Sequence, residues 1–221
     1  MDTRTVGGLR VVIPDVDPAD LDPVTEPPDD DLVDVRADGA VWPELELRGA
    51  RFWGSLFTGV DLSGVVWRNG GLANCRLERV DLSGARFTGT TIERCELVGC
   101  RLTGVAFGDV SLKNVVFEDC RFDYANLNEV RVSGPTVFSG GTFGRAVLTA
   151  CRLGGAVFTG CRFEETELHD CDLRGTNLTG TDLSGLTGLT SLTGAVLDPD
   201  QLVDLATIAV RDLGITVKEP S

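Results

Sequence analysis

The chain has 221 residues, with 34 acidic and 20 basic side chains, seven cysteines, one histidine and a net charge of −14. Its length fits one domain, and it has neither an apolar run of membrane-spanning length nor a signal-peptide hydrophobic run at its start. We therefore expect a cytoplasmic protein that does not enter a membrane. The cysteines include no CxxC pair, so their spacing predicts neither a zinc site nor a disulfide framework.

Residues 1–44 form an acidic, proline-rich arm with 12 acidic and 3 basic side chains. Two short apolar segments lie within it, Leu9–Ile13 and residues 32–35. Each is predicted to add a strand beside the beginning of the following domain. Because exposed strand edges recruit other chains, we interpret the arm as a cap with a solvated loop. The alternative is a dedicated binding tail.

Large apolar residues recur every five positions from Leu47 to Leu183. The series runs unbroken to Val132, gains one residue near Pro135, and resumes at Phe138. All ten phenylalanines lie on it, and all seven cysteines lie two positions before one of its members, in a second row of small residues. Helices repeat apolar residues every three or four positions and strands every two, so neither explains a strict five.

Five residues are therefore one structural unit, with two inward positions followed by a turn. Four such units would close a square coil of about twenty residues, and stacking of successive coils would bury both rows. The 28 large residues of the series correspond to seven coils. Trp42 lies five positions before Leu47, which raises the expected number of coils towards eight. The extra residue near Pro135 is predicted to be a corner bulge.

Residues 60–64 (VDLSG), 125–129 (ANLNE) and 181–185 (TDLSG) resemble the repeat of the pentapeptide-repeat family. The resemblance implies an all-β fold, a right-handed quadrilateral β-helix over residues 45–185. It also implies a dimer joined at the C-terminal ends, since members of this family are usually dimeric.

The cysteines are expected to be reduced core residues. Their stacked positions would lie about 4.8 Å apart, one strand spacing, whereas a disulfide requires Cβ atoms near 3.8 Å. The stacked pairs are Cys75 with Cys95, Cys100 with Cys120, and Cys151 with Cys171, and the seventh cysteine is Cys161.

Residues 186–221 are predicted to contain an irregular last coil, a capping helix over 199–213 and a terminal strand at 215–217. Asp198 and Gln201 flank Pro199 as a capping box, and Gly214 ends the helix. An apolar stripe on this helix is predicted to form the homodimer interface. The alternative is that the helix folds back onto the last coil. The stripe consists of Leu202, Leu205, Ala209 and Leu213.

Catalytic motifs are missing from the sequence, which has no phosphate-binding loop, nucleophile elbow or zinc-protease pair. His169, the single histidine, is predicted to point outward with no nucleophile beside it. We therefore expect a protein without catalytic activity, and without a metal ion or cofactor.

The C-terminal tail resembles those of the MfpA-type and Qnr-type members of the family. This resemblance implies imitation of duplex DNA and binding to DNA gyrase. Residues 45–185 carry 17 acidic and 15 basic side chains, whereas a duplex of about 34 Å would carry on the order of 20 charges. The alternative is therefore an interaction scaffold for an unrelated protein. The candidate acidic surface consists of Asp61, Asp81, Asp123, Glu164, Glu165 and Asp182.

Nucleic acid is not an expected ligand, although one face of the predicted shaft is net basic. Its six cations are spread along the shaft and face two carboxylates, and the net charge of the chain repels a duplex at long range. The cations are Arg51, Arg94, Lys113, Arg131, Arg152 and Arg174.

Overall fold

The computed structural model describes residues 2–218 and confirms the predicted fold class. The chain is a β-solenoid of about eight turns followed by one short helix, Leu202–Asp212. Strands of successive coils pair in parallel, so that Phe52 lies opposite Leu72 and Leu72 opposite Ile92. The five-residue series thus supplies the inward side chains of every coil.

Four walls enclose the core, and each contains one five-residue unit from every coil. The first wall contains Leu32–Val33, Arg51–Trp53, Gly71–Ala73, the beginnings of Thr91–Val98 and Ser111–Glu118, and Arg131–Val132. The second wall contains Asp22–Pro23, Val35–Asp38, Leu56–Thr58, Arg76–Glu78, the ends of the two long strands, Thr136–Ser139 and Val157–Thr159. The fourth wall contains Glu46–Arg48, Val66–Arg68, Arg86–Thr88, Ala106–Gly108, Asn126–Asn128, Val147–Thr149, Thr166–His169 and Leu186–Thr187.

The third wall is held by isolated parallel bridges. They connect Val41, Asp61, Asp81, Arg101, Arg121, Thr142, Arg162 and Asp182 in that order. At many corners the second residue after the large inward one has a positive φ, for example Gly54 at 61° and Asn74 at 52°. Glycine and asparagine adopt this left-handed conformation at low cost, which explains the frequent glycine of the repeat.

Stacked phenylalanines fill the core on the second and third walls. Phe138 lies between Phe117 and Phe158, with ring centroids 4.8 and 4.5 Å apart and ring planes within 6° of parallel. Phe122 and Phe143 stack in the same way at 4.9 Å. These separations match the spacing between paired strands, so each ring packs on the equivalent ring of the next coil.

The second inward row contributes hydrogen-bond donors as well as small volume. The Cys75 thiol donates to the Phe52 carbonyl at 3.2 Å, and the Thr176 hydroxyl donates to the Leu153 carbonyl at 2.7 Å. Each donor thus contacts a carbonyl of the preceding coil. All seven cysteines are free and buried, as the sequence predicted.

The extra residue lies between Val132 and Thr136, at the corner from the first wall to the second. Val132 pairs with Leu112, 20 positions earlier, whereas Thr136 pairs with Val115, 21 positions earlier. The bulge is confined to residues 133–135, and parallel pairing resumes immediately after it.

Only part of the acidic arm covers the first coil. Val24 and Leu32 pack against the core, and the Trp42 indole N–H donates to the Thr25 carbonyl at 2.9 Å. Val35–Asp38 already belongs to the second wall, so the solenoid begins inside the segment predicted as an arm.

Leu9–Ile13 does not add a strand at the first coil, and that prediction is wrong. It pairs instead with Asp2–Val6 in an antiparallel hairpin that lies against the outside of the second wall. The strand is correctly predicted, but its apolar face packs on outward valines far along the shaft.

The C-terminal helix folds back onto the last coil, which was the alternative prediction. Ile208 is fully buried and Leu205 packs against the core, whereas Leu202 and Leu213 are 60% and 63% exposed. Leu205 is partly buried, so its contact with the chain's own core leaves Leu202 and Leu213 as the more exposed members of the stripe, and the interface through it stays a prediction.

The capping box forms as predicted, since the Asp198 N–H donates to Gln201 Oε1 at 2.7 Å. Pro199–Gln201 is a short 3-10 helix that precedes the α-helix, and Gly214 follows with a φ of 62°. Ile215 and Val217 do not form the predicted strand. A strand there would need a neighbouring strand edge, and none pairs with it in residues 2–218.

Replacing Phe107 by Asp tests the inward row. Phe107 is 4% exposed and contacts Phe87 edge-on at 5.3 Å. Loss of the ring costs about 3–5 kcal/mol, and burial of an unpaired charge adds to it. We expect the variant to be unfolded, so that circular dichroism shows no cooperative thermal transition. The control is Ala106→Asp on the outward side of the same strand, which should unfold near the parent temperature. Equal melting of the two variants would contradict the inward assignment.

The thiols are expected to differ in reactivity. Burial raises the pKa of Cys161 to about 11, whereas a hydrogen bond with Cys151 lowers the pKa of Cys171 to about 7. Cys171 is also 9% exposed, against at most 1% for the other six. In the native protein at pH 8, a thiol reagent should modify Cys171 first and the rest only after denaturation. Cys171→Ala should abolish the fast phase, and a fast phase that persists would disprove this assignment.

Candidate protein-binding surfaces

The six candidate acidic residues all belong to the third wall or its corner. Asp61 and Asp81 are bridge partners in adjacent coils, and Asp182 has the equivalent position near the C-terminal end. Arg101, Arg121 and Arg162 have the same position in coils between them. The row is thus interrupted by cations.

Asp81 is the best-defined carboxylate of this row. The Arg101 guanidinium contacts it at 2.8 Å, and its Oδ1 accepts the Ser83 N–H at 2.9 Å. Partial burial raises the pKa of Asp81, but the hydrogen bonds from Ser83 and the charge of Arg101 outweigh this and lower it overall. Asp81 is therefore ionised at neutral pH, but its charge is largely neutralised by its neighbour.

The other three candidates lie around Tyr124, at the corner between the third and fourth walls. Glu165 accepts from Arg145 Nε at 2.8 Å, and the same guanidinium covers the Tyr124 ring at 5.8 Å and donates to its hydroxyl. Asp123 accepts the Gly144 N–H at 2.8 Å. An open groove of about 510 Å³ runs beside them, lined also by Arg162 and Glu164.

Tyr124 and Arg145 form the centre of this cluster, and the sequence did not predict it. Tyr124 is 58% exposed, and both residues have the left-handed backbone of a corner, with φ of 60° and 55°. Their positions, one coil apart, follow from the repeat, because both come two positions after a large inward residue. Their contact could therefore have been predicted from the spacing of one coil between them.

The basic face predicted from the sequence is the first wall, and its cations are mostly paired. Glu93 contacts both Arg94 and Lys113, and Asp109 contacts Arg131. Arg174 lowers the pKa of Asp172 to about 2 through hydrogen bonds. Little unpaired positive charge is left there for a phosphate backbone.

Exposed apolar side chains gather at the C-terminal end. They lie on the helix and in the residues that flank it in sequence, and no other part of residues 2–218 covers them. They are Val196, Leu202, Val203, Leu213, Ile215 and Val217.

Residues 2–218 contain no group of three or more His, Cys, Asp or Glu side chains placed to hold a metal ion. His169 is exposed and contacts Glu167 at 3.0 Å. Within the same residues, no helix is long and apolar enough to span a membrane.

Two family models match the chain. One, described as a pentapeptide repeat region, matches residues 70–136, and the other, described as pentapeptide repeats, matches residues 143–185. No curated protein matches the chain in sequence.

Solved structures of several repeat proteins are similar to this chain. QnrB1, a plasmid-mediated fluoroquinolone resistance protein, is 19% identical in its R167E trypsin-treated form, with 86% of this chain and 99% of that chain covered and a TM-score of 0.42. HetL, from the cyanobacterium Nostoc, is involved in the regulation of heterocyst differentiation. It is 17% identical over 76% of this chain and 86% of that chain, with a TM-score of 0.29.

Proposed function

Because this chain belongs to the pentapeptide-repeat family, we propose that it is a non-catalytic, dimeric rod that binds another protein through its third wall. The observation that carries the proposal is the cluster of Tyr124, Arg145 and Glu165 on an otherwise regular wall. Tyrosine and arginine are the residue types that contribute most to protein interfaces. The packed core holds this cluster on a rigid support.

The third wall is suited to a protein partner rather than to a small substrate. Its groove is open, and its ion pairs, Asp81 with Arg101 and Glu165 with Arg145, lie along the wall instead of converging on one point. A flat wall with alternating charges fits the polar rim of an interface, with Tyr124 as the central contact.

A photo-reactive amino acid at position 124, introduced in the native cell, tests this proposal. We expect one specific cross-linked protein, and we expect Arg145→Ala to reduce its yield several-fold, since Arg145 orients the ring. The control position is Ala150, which is exposed at the corner of the fourth wall. Identical adducts from both positions would rule out the third wall as the interface.

A second candidate is DNA mimicry towards DNA gyrase, of the fluoroquinolone-resistance type. It is favoured by the stacked carboxylates of Asp61 and Asp81, next to a first coil whose covering arm carries most of the net charge. Arg101, Arg121 and Arg162, which interrupt the acidic row of the third wall, argue against it, because a duplex presents uninterrupted negative charge.

A supercoiling assay with purified gyrase separates the two candidates. DNA mimicry predicts inhibition that falls steeply with added salt and that is lost on joint Asp61→Asn, Asp81→Asn and Asp182→Asn replacement. A partner other than gyrase predicts no inhibition. Inhibition that survives the triple replacement would leave the acidic row without a role.

The proposed dimer uses the exposed apolar end rather than the whole helix stripe. Leu202 and Leu213 are exposed, whereas Leu205 is partly buried against the core. Joint Leu202→Asp and Leu213→Asp replacement should halve the mass seen by light scattering. Thr207→Asp, an exposed position of the same helix, should leave the mass unchanged. A double variant that keeps the parent mass would place the interface elsewhere.

A further inference from the structure

The N-terminal hairpin is attached to the solenoid differently from every strand of the walls. Asp2–Val6 and Leu9–Ile13 pair only with each other, in a separate two-stranded sheet. One hydrogen bond from the hairpin backbone reaches the shaft within residues 2–218, from the Val12 N–H to Asn114 Oδ1 at 3.3 Å. The hairpin is therefore held by side chains, in the manner of a bound ligand.

An apolar stripe on the outside of the second wall lies beneath the hairpin. Val116, Val137 and Val157 are ladder partners in three successive coils, at a position that points out of the solenoid. Val11 is fully buried against them, with Leu9 and Ile13 beside it. These residues form a small core that shares no member with the core inside the solenoid.

A pair of carboxylates lies at one end of the stripe. Arg4 donates to both oxygens of Glu118, at 2.7 and 2.9 Å, and to Glu96 at 3.3 Å. Glu96 is only 3% exposed and belongs to the same outward row as the valines. Arg76 also contacts Glu96, at 3.7 Å. The hydrogen bonds from Arg4 lower the pKa of Glu118.

The turn of the hairpin contacts the other end of the stripe. A Cβ atom on Gly7 would lie 2.7 Å from a Val157 methyl carbon, so only glycine permits this approach. The contact surface therefore has three parts: a carboxylate pair, an apolar stripe and a close contact at the turn. Such an arrangement specifies both the position and the direction of a hairpin.

We propose that the outward valine stripe with Glu96 and Glu118 is a docking site for an arginine-bearing β-hairpin, and that the chain's own residues 2–13 occupy it as an intramolecular ligand. A partner that uses this wall has to displace them. A two-stranded hairpin is marginally stable alone, so residues 2–13 are ordered by the wall they cover. This inference concerns the second wall and does not depend on the partner proposed for the third.

The site is tested by releasing the hairpin from it in the full-length chain and then adding the hairpin as a separate peptide. Val11→Asp places a charge in the outer core without touching the inner one, and it should release the hairpin. Hydrogen exchange should then show the amides of residues 2–13 unprotected while the walls stay protected. Thr5→Asp, on the exposed side of the same hairpin, is the control and should keep the amides protected.

The probe is a labelled peptide of residues 2–13 with Thr3→Cys and Val12→Cys joined by a disulfide. These two residues are cross-strand partners on the side away from the wall, so the bridge fixes the hairpin without altering its contacts. Fluorescence anisotropy should show the peptide binding Val11→Asp at least about tenfold more tightly than the parent or Thr5→Asp. Arg4→Ala in the peptide, or Glu118→Gln in the Val11→Asp chain, should each weaken binding about tenfold, since each removes a charge-assisted pair.

Several outcomes would overturn the proposal. The first is that hydrogen exchange shows the hairpin amides of Val11→Asp still protected. The second is that the peptide binds the parent and Val11→Asp equally well. The third is that the peptide does not bind a chain whose hairpin has been released. If Val11→Asp fails to fold, Gly7→Val serves in its place, since its side chain clashes with Val157 outside the core. The same results are expected from it, and the same contrary results would count against the docking site.

Discussion

The stacking of one coil on the next is the interaction on which the rest of this structure depends. A single coil has no interior, so its large and small inward residues are buried only when the next coil lies directly over them. This requirement fixes a spacing of 20 residues between equivalent positions, as between Phe52 and Leu72. It also makes each wall a column of chemically similar sites, so a contact made in one coil is repeated or varied in the next.

The inner surface could be predicted from the sequence because it obeys that period. Phe117 and Phe138 stack because they are equivalent members of successive coils, and the extra residue between them changes the spacing to 21 without disturbing the contact. The cysteines were recognised as small core residues, whereas their donation to carbonyls of the preceding coil required atomic positions.

The outer surface could be predicted only in part, because no period governs what packs against it. Leu9–Ile13 is a short apolar run that reads as a strand, but such a run does not say which of four walls it will contact. Ile208 was missed for a related reason. The stripe through Leu202 and Leu213 is also compatible with helical periodicity, and only the shape of the last coil selects Ile208 for burial.

The two ends of the rod differ in chemistry, and in the proposed dimer this difference would limit further assembly. One end is covered by a segment dense in aspartate, and the other presents leucine, isoleucine and valine around a helix. Two copies joined through their apolar ends would leave only like-charged ends outside, and these repel one another. In the dimer proposed above, a stacked-strand architecture that is otherwise prone to extend into fibres would thereby close after two subunits.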